Sequence, residues 1–332
     1  MKASRWILSI VSIMALALLL NGCSPEPAAV TEPVSVTTEP VSITDDSMDV
    51  RVVVTRDFGR QVLLDATIEV APGCSSLAAL EQVTDVTTAY GGGFVDSING
   101  LRSQYSGGQA EQYDWLVYFN GIQSKTGALD YTLRQDDVQR WDYHHWNFRI
   151  SIPAIVGDFP EPFLHGYKGQ VKPTIIVYDG GFEQNAEELE GALIDLGVAN
   201  VSSQPMVDLS DSDKRNANLI IIGYSGGEML AEMNSVWNRL GFFARFEDGM
   251  LDIYTGTGEQ AAQYGPGTGI IQATQSPWNP RGTGACENVV WMVSGTDAAG
   301  IEAAAKALAT RSSDLQHAFA VVVTGGEIIR VP

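Results

Sequence analysis

From Met48 to Ile152 the chain alternates short β-branched runs with turn signals. "DVRVVVTRDF" and "RQVLLDATIEV", separated by Gly59 and Arg60, predict a hairpin. "CSSLAALEQV" places Leu77, Leu80 and Val83 at helical spacing behind Ser75 or Ser76 as the cap. "AYGGGFVDSING" is a glycine-rich turn with an aromatic on either side, and "YDWLVYFNG" is a strand ending in Asn120-Gly121, a tight-turn pair. "ALDYTLRQDDVQRWDYHHWNFRISI" adds a turn at Gln135 to Asp137 and a last strand. After a stretch with four prolines and three glycines, residues 153–173, the pattern changes. "PTIIVYDGG", "NLIIIGYSGG", "NVVWMVSGTD" and "HAFAVVVTG" are continuous apolar runs, and amphipathic stretches such as "NAEELEGALIDLGV" and "AAGIEAAAKALAT" lie between them.

Two strands, a helix and further strands predict a small β-grasp sheet holding one helix. Strands apolar on both faces, alternating with helices, predict a three-layer α/β domain with a largely parallel sheet. The expected fold class is therefore α+β followed by α/β, with the first domain over residues 49–152, a linker over 153–173 and the second domain over 174–332.

The N-terminal segment adds a compartment. Lys2 and Arg5, the apolar run Trp6 to Leu20 and then Leu20-Asn21-Gly22-Cys23 read as a lipoprotein signal over residues 1–22, with Cys23 as the lipidated N-terminus. Residues 23–48 contain "TEPVSVT" and "TEPVSIT" and read as an extended tether. No later apolar stretch reaches the roughly 18 residues of a spanning helix, so the expectation is an extracytoplasmic protein held to the membrane by lipid. The net charge of −20 argues against nucleic acid and against an anionic membrane surface as partners.

Three cysteines exclude a disulfide framework: Cys23 is assigned to lipid, and Cys74 and Cys286 are either one bridge or two buried small residues. "VYDGGFEQNAEEL" and "IIGYSGGEML" end buried strands with glycines but fit neither G-x-G-x-x-G nor the P-loop, and tight strand-to-helix turns account for them. Ser225 in "YSGG" lacks the G-x-S-x-G form, so no hydrolase is expected. Thr296 or Asp297 caps the helix from Ala298. "YGPGTGIIQATQSPWNPRGTG", with Trp278 and Arg281, reads as a long loop that meets the first domain or a ligand.

"RWDYHHWN", residues 140 to 147, holds two of the four histidines. A regular strand puts Trp141, Tyr143 and His145 on one face and Asp142, His144 and Trp146 on the other. The two histidines then diverge, which makes a joint metal site awkward. Core packing explains one aromatic face, but one helix does not cover both. Tyr90, Phe94, Tyr105, Tyr113, Trp115, Tyr118, Phe119 and Tyr131 add an excess of aromatics beside glycines, which suits either a packed core or a platform for a broad apolar ligand with polar edges.

"SSLAALEQV", "YGGGFVDSING", "WLVYFNGI", "GALDYTL" and "WDYHHW", together spanning Val52 to Phe148, resemble the transcobalamin-like C-terminal domain family. This is the β-grasp unit that intrinsic factor, haptocorrin and transcobalamin use as their smaller half. The resemblance implies that Gly92, Gly93, Phe94, Val95, Trp115 and Tyr118 lie at a cobalamin. Tyr131, Trp141, His144 and His145 join this set on aromatic or metal-binding chemistry alone, His144 or His145 as a ligand to the cobalt of a bound corrinoid. The animal carriers add a large α/α barrel that this sequence lacks, so a second wall comes from the α/β domain, from another protein, or not at all. "GTGIIQATQSPWNP" and "VVWMVSGTDAAGIEAAAKAL" resemble, more faintly, α/β units of bacterial and archaeal S-layer and other cell-surface proteins, which implies no activity.

The expected function is capture of cobalamin or a related corrinoid and delivery toward an uptake transporter. No catalysis and no resident cofactor or metal are expected. The alternative is a cell-surface interaction module whose first domain binds a peptide, glycan or envelope protein.

Overall fold

A computed structural model describes residues 47–105 and 111–332. The expected signal (1–22), Cys23 and all of the tether but its last two residues lie outside the described residues. The described chain is a sheet-rich mixture of α and β, with few helices and several sheets.

The first part begins with the hairpin β1 (Met48–Arg56) and β2 (Gln61–Val70), then α1 (Ser76–Glu81). Ser75 caps α1, its Oγ accepting from Ala78 N–H at 3.2 Å. A small three-stranded sheet follows, made of β3 (Val86–Ala89), β4 (Phe94–Ile98) and β5 (Leu101–Arg102). β6 (Tyr113–Phe119) turns at Asn120 and Gly121, both at positive φ, into β7 (Ile122–Gln123), and β8 (Val138–His145) closes the part. The main sheet has the order β2-β1-β8-β6-β7, in which β1 and β8 run parallel at the centre and the other pairs are antiparallel.

Residues 153–173 run between the two large sheets with Ile155, Val156 and Phe163 fully buried. Beyond them come β9 (Thr174–Tyr178), α2 (Glu183–Asp195), β10 (Val201–Pro205), α3 (Asp211–Asn216), β11 (Asn218–Tyr224) and α4 (Glu228–Ser235). β12 (Ala244–Glu247), β13 (Met250–Tyr254) and β14 (Gln260–Tyr264) form a separate meander. β15 (Gly269–Gln275), β16 (Val289–Gly295), α5 (Ala298–Thr310), β17 (Ala320–Thr324) and β18 (Glu327–Val331) complete the chain. The seven-stranded sheet has the order β10-β9-β11-β16-β15-β17-β18.

The structure departs from the sequence expectation at two places in this sheet. This sheet is not largely parallel: β10-β9-β11-β16 pair in parallel, and from β16 through β15 and β17 to β18 every pairing is antiparallel. An apolar run buried on both faces reads the same in either direction, so the sequence carries no signal for the reversal. The long loop around "GIIQATQ" is in fact β15, a central strand in which all seven residues are buried. Its glycine, threonine and glutamines disguise it. Trp278 is half-buried against the core, whereas Arg281 is exposed and ion-paired with Glu287.

α2 and α5 cover one face of the seven-stranded sheet, with Leu189, Leu193, Ile301 and Leu308 fully buried. α4 and the meander cover the other through Leu230, Met233, Leu251 and Ile253. Asp297 caps α5, accepting from Gly300 N–H at 2.9 Å. Cys74 and Cys286 are free thiols, not a bridge. No helix among the described residues is long and apolar enough to cross a membrane.

Candidate functional site

The strand β8 carries the two faces foreseen, and both are covered. On one, Trp141 and Tyr143 pack with Val52, Val54 and Trp115 beneath Leu77 and Leu80 of α1. The other presents Arg140, Asp142 and His144 to the second half of the chain. The fully buried Arg140 guanidinium pairs with the equally buried Asp158, Nε lying 3.1 Å from Oδ1. Arg140 Nη1 also lies 3.2 Å from His317 Nδ1, and His317 Nε2 lies 3.3 Å from Asp65 Oδ2. Burial, reinforced by the Arg140 charge, holds His317 down to about 4, so the ring is neutral. Nδ1 therefore accepts from Arg140, and Nε2–H donates to Asp65.

Asp142 is the second buried anchor. It accepts from Thr55 Oγ1 at 2.6 Å, Phe58 N–H at 3.1 Å, Gly59 N–H at 2.9 Å and His144 Nδ1–H at 2.7 Å. Burial alone would raise its carboxyl, but the bonds from His144, Thr55 and Gly59 outweigh this and hold it below the ordinary carboxylate range. His144 is stacked on Phe58 at 4.5 Å between centroids and meets Phe319 edge-on at 5.5 Å. With one nitrogen held by Asp142 and the ring 2% exposed, it is a core side chain and not a ligand for cobalt in this conformation.

Most of the residues expected at a ligand are likewise interior. Tyr118 is fully buried against Phe319, and Tyr131 is stacked on Phe119 and accepts a bond from Lys168 N–H at 3.1 Å. Trp115 donates to Leu101 O at 2.9 Å, and Val95 and Trp141 share its core. A ligand resting on the closed molecule does not reach these five. The aromatic excess is mainly packing for a sheet enclosed on both sides.

Gly92, Gly93 and Phe94 stand apart, at the tip between β3 and β4. Tyr90, Gly91 and Gly92 take positive φ there, Tyr90 is 84% exposed, and Phe94 meets it edge-on at 6.4 Å. Leu129, 50% exposed, lies beside Gly92, and the Gly93 carbonyl backs onto Gly127. The tip is an open apolar surface.

His145 belongs to a different neighbourhood. It is half-buried, meets Tyr113 edge-on at 4.9 Å, and its Nδ1 has no hydrogen-bond partner. It lines a hollow of about 340 Å³ with Phe58, Arg60, Tyr113, Thr255 and Gly256. Nearby in sequence, Trp146 donates to Asp114 at 2.7 Å and carries the 57% exposed Tyr105 edge-on at 5.1 Å. Sequence reading missed Phe58, Arg60 and Thr255. The turn Asp57-Phe58-Gly59, with all three residues at positive φ, was visible only as a hairpin signal. Among the described residues no three His, Cys, Asp or Glu side chains converge as a metal site.

A family described as a domain of unknown function, DUF4430, matches residues 73–145. Haptocorrin in complex with Cbi is similar at 15% identity and a TM-score of 0.25, over 29% of this chain and 25% of that one. A protein from Ruminococcus gnavus ATCC 29149, described as a candidate metal-binding protein, is similar at 18% identity and a TM-score of 0.23, over 29% of this chain and 95% of that one. The chain thus spans a quarter of the haptocorrin chain, and overlap this limited carries no inference about a ligand. No curated protein matches.

Proposed function

We propose that the protein is an exported, lipid-anchored binding protein that captures a corrinoid outside the cell and passes it to an uptake transporter, without chemistry of its own. In this reading the first sheet and α1 are a β-grasp unit of the transcobalamin-like kind, with the parallel pair β1 and β8 at its centre. The observation that carries it is His145. Its half-buried imidazole makes no hydrogen bond or ion pair among the described residues; Nδ1 is buried, which leaves Nε2 as the donor, and a metal already enclosed by its own macrocycle needs only one such donor from the protein. A hollow of about 340 Å³ is too small to enclose a corrinoid, so the ring lies across its mouth, over Phe58 and Tyr113.

A second reading rests on the tip: exposed Tyr90 and Leu129 with half-buried Phe94 suit a peptide, glycan or envelope protein. Calorimetric titration with cyanocobalamin and hydroxocobalamin, with visible spectra, separates the two. Tighter binding of the hydroxo form, with a spectral shift that His145→Ala abolishes and Tyr90→Ala leaves unchanged, is expected. No heat from either corrinoid sinks the first reading and leaves the interaction module.

A further inference from the structure

The second half of the chain has a crevice of its own. β9 and β11 are adjacent and parallel, yet the chain leaves β9 into α2 on one face of the sheet and leaves β11 into α4 on the other. Such a divergence opens a cleft at the carboxyl ends of the two strands, where open α/β sheets bind ligands. Here the cleft measures about 310 Å³.

Its two rims are tied by Asp179, which follows β9 and whose Oδ2 accepts from Tyr224 N–H at 2.9 Å at the end of β11. A Cβ on Gly223 would stand 2.5 Å from that oxygen, so glycine is what lets the carboxylate lie across the strand end. The remaining lining sorts by chemistry. Met206, Leu209 and Met229 make an apolar wall, two of the three being adaptable thioethers. Glu228 and Lys214 also line the cleft, and among the described residues neither side chain has an ion pair or hydrogen bond. Val207 at the mouth is 91% exposed, an apolar side chain left in water.

We infer that this cleft binds a zwitterion of amino-acid size with an apolar side chain. The ligand ammonium is held by Asp179 and Glu228, its carboxylate by Lys214, and its side chain rests on the methionine and leucine wall under Val207. Two carboxylates against one ammonium exclude nucleotides and other phosphates, which they repel, and a simple fatty acid would leave both acids unanswered. The volume is at the low end of small-molecule sites and matches a single residue, not a cofactor.

The site is independent of the corrinoid reading and is tested with a different probe. L-leucine and L-methionine are titrated into the full protein by calorimetry, alongside N-acetyl-L-leucine, which lacks the ammonium, and L-leucine methyl ester, which lacks the carboxylate. One saturable site for the free amino acids is expected, with affinity at least about tenfold weaker for each blocked form, as loss of a charge-assisted hydrogen bond implies. Asp179→Asn keeps the bond to Tyr224 N–H while removing the charge, and it weakens leucine binding by a similar factor, as does Lys214→Met. Glu228→Gln alters an exposed side chain outside the core and supplies the same readout if Asp179→Asn perturbs the fold. Absence of saturable binding, equal affinity for the blocked forms, or unchanged affinity in all three variants overturns the proposal. Cobalamin titration of Asp179→Asn stays as in the wild type.

Discussion

At the scale of single residues, the chain places a charged cluster where a core is expected. Arg140 and Asp158 are both fully buried, and His317 relays between Arg140 and Asp65. A buried pair of this kind is weak as a net stabiliser, but removal of one member strands the other in low dielectric. None of it was legible in the sequence: Asp158 is 18 residues from Arg140 and His317 is 177 residues away, and periodicity places a side chain on a face without naming what meets it. Foresight on His144 and His145 went as far as their divergence; which of the two stays open depended on Phe319, far along the chain. His317 gives a measurable consequence. Its value falls from an ordinary 6.5 to about 4 on folding. Between these limits the unfolded chain takes up a proton that the native ring refuses, so stability decreases as pH falls from 6.5 toward 4 and is unaffected by this group above about 7. Urea unfolding of the wild type and His317→Gln across that window should show a steeper loss in the wild type. His165, raised by its hydrogen bond to Glu161, acts in the opposite sense but equally in both proteins and cancels in the difference.

At the scale of elements, helices with caps and strands made of uninterrupted apolar residues were readable: α1 behind Ser75, α5 behind Asp297, and β9, β11 and β16. β15 was not, because its composition is that of a loop and its burial is decided by α5. That helix crosses the sheet backbone to backbone. A Cβ on Gly300 would stand 2.2 Å from the Thr268 carbonyl oxygen, and one on Gly269 would stand 2.2 Å from the Gly300 carbonyl oxygen. Gly300→Ala sets two effects against each other. Alanine within a helix gains about 1 kcal/mol over glycine. The collision is with backbone, so relief requires α5 to lift from β15 and β16, and overpacking of this kind costs about 1–3 kcal/mol or more. The steric effect wins: Gly300→Ala should lower the melting temperature, and a rise would mean that the helix can shift without loss of packing.

At the scale of the whole molecule, the two sheets share their interior. The polar face of β8 is closed by Asp158, His317 and Phe319, and the cluster of Phe58, Tyr118, Ile152, Ile155, Phe243 and Phe319 draws on both halves and the segment between them. The approach is close enough that a Cβ on Gly59 would stand 1.7 Å from the His317 carbonyl oxygen, and one on Gly157 would stand 2.5 Å from Ala318 N. Exposing this seam uncovers aromatic surface and also the Arg140, Asp158 and Asp142 charges, which couples the stability of the two halves. Thermal unfolding should therefore be one cooperative transition. Tryptophans report from both sides, Trp115 and Trp141 in the first half and Trp291 in the second, so fluorescence and far-ultraviolet dichroism should give coincident midpoints. Two separated midpoints would show that the seam opens on its own, and a corrinoid or a partner would then have a route to Tyr118 and His144 that the closed molecule denies it.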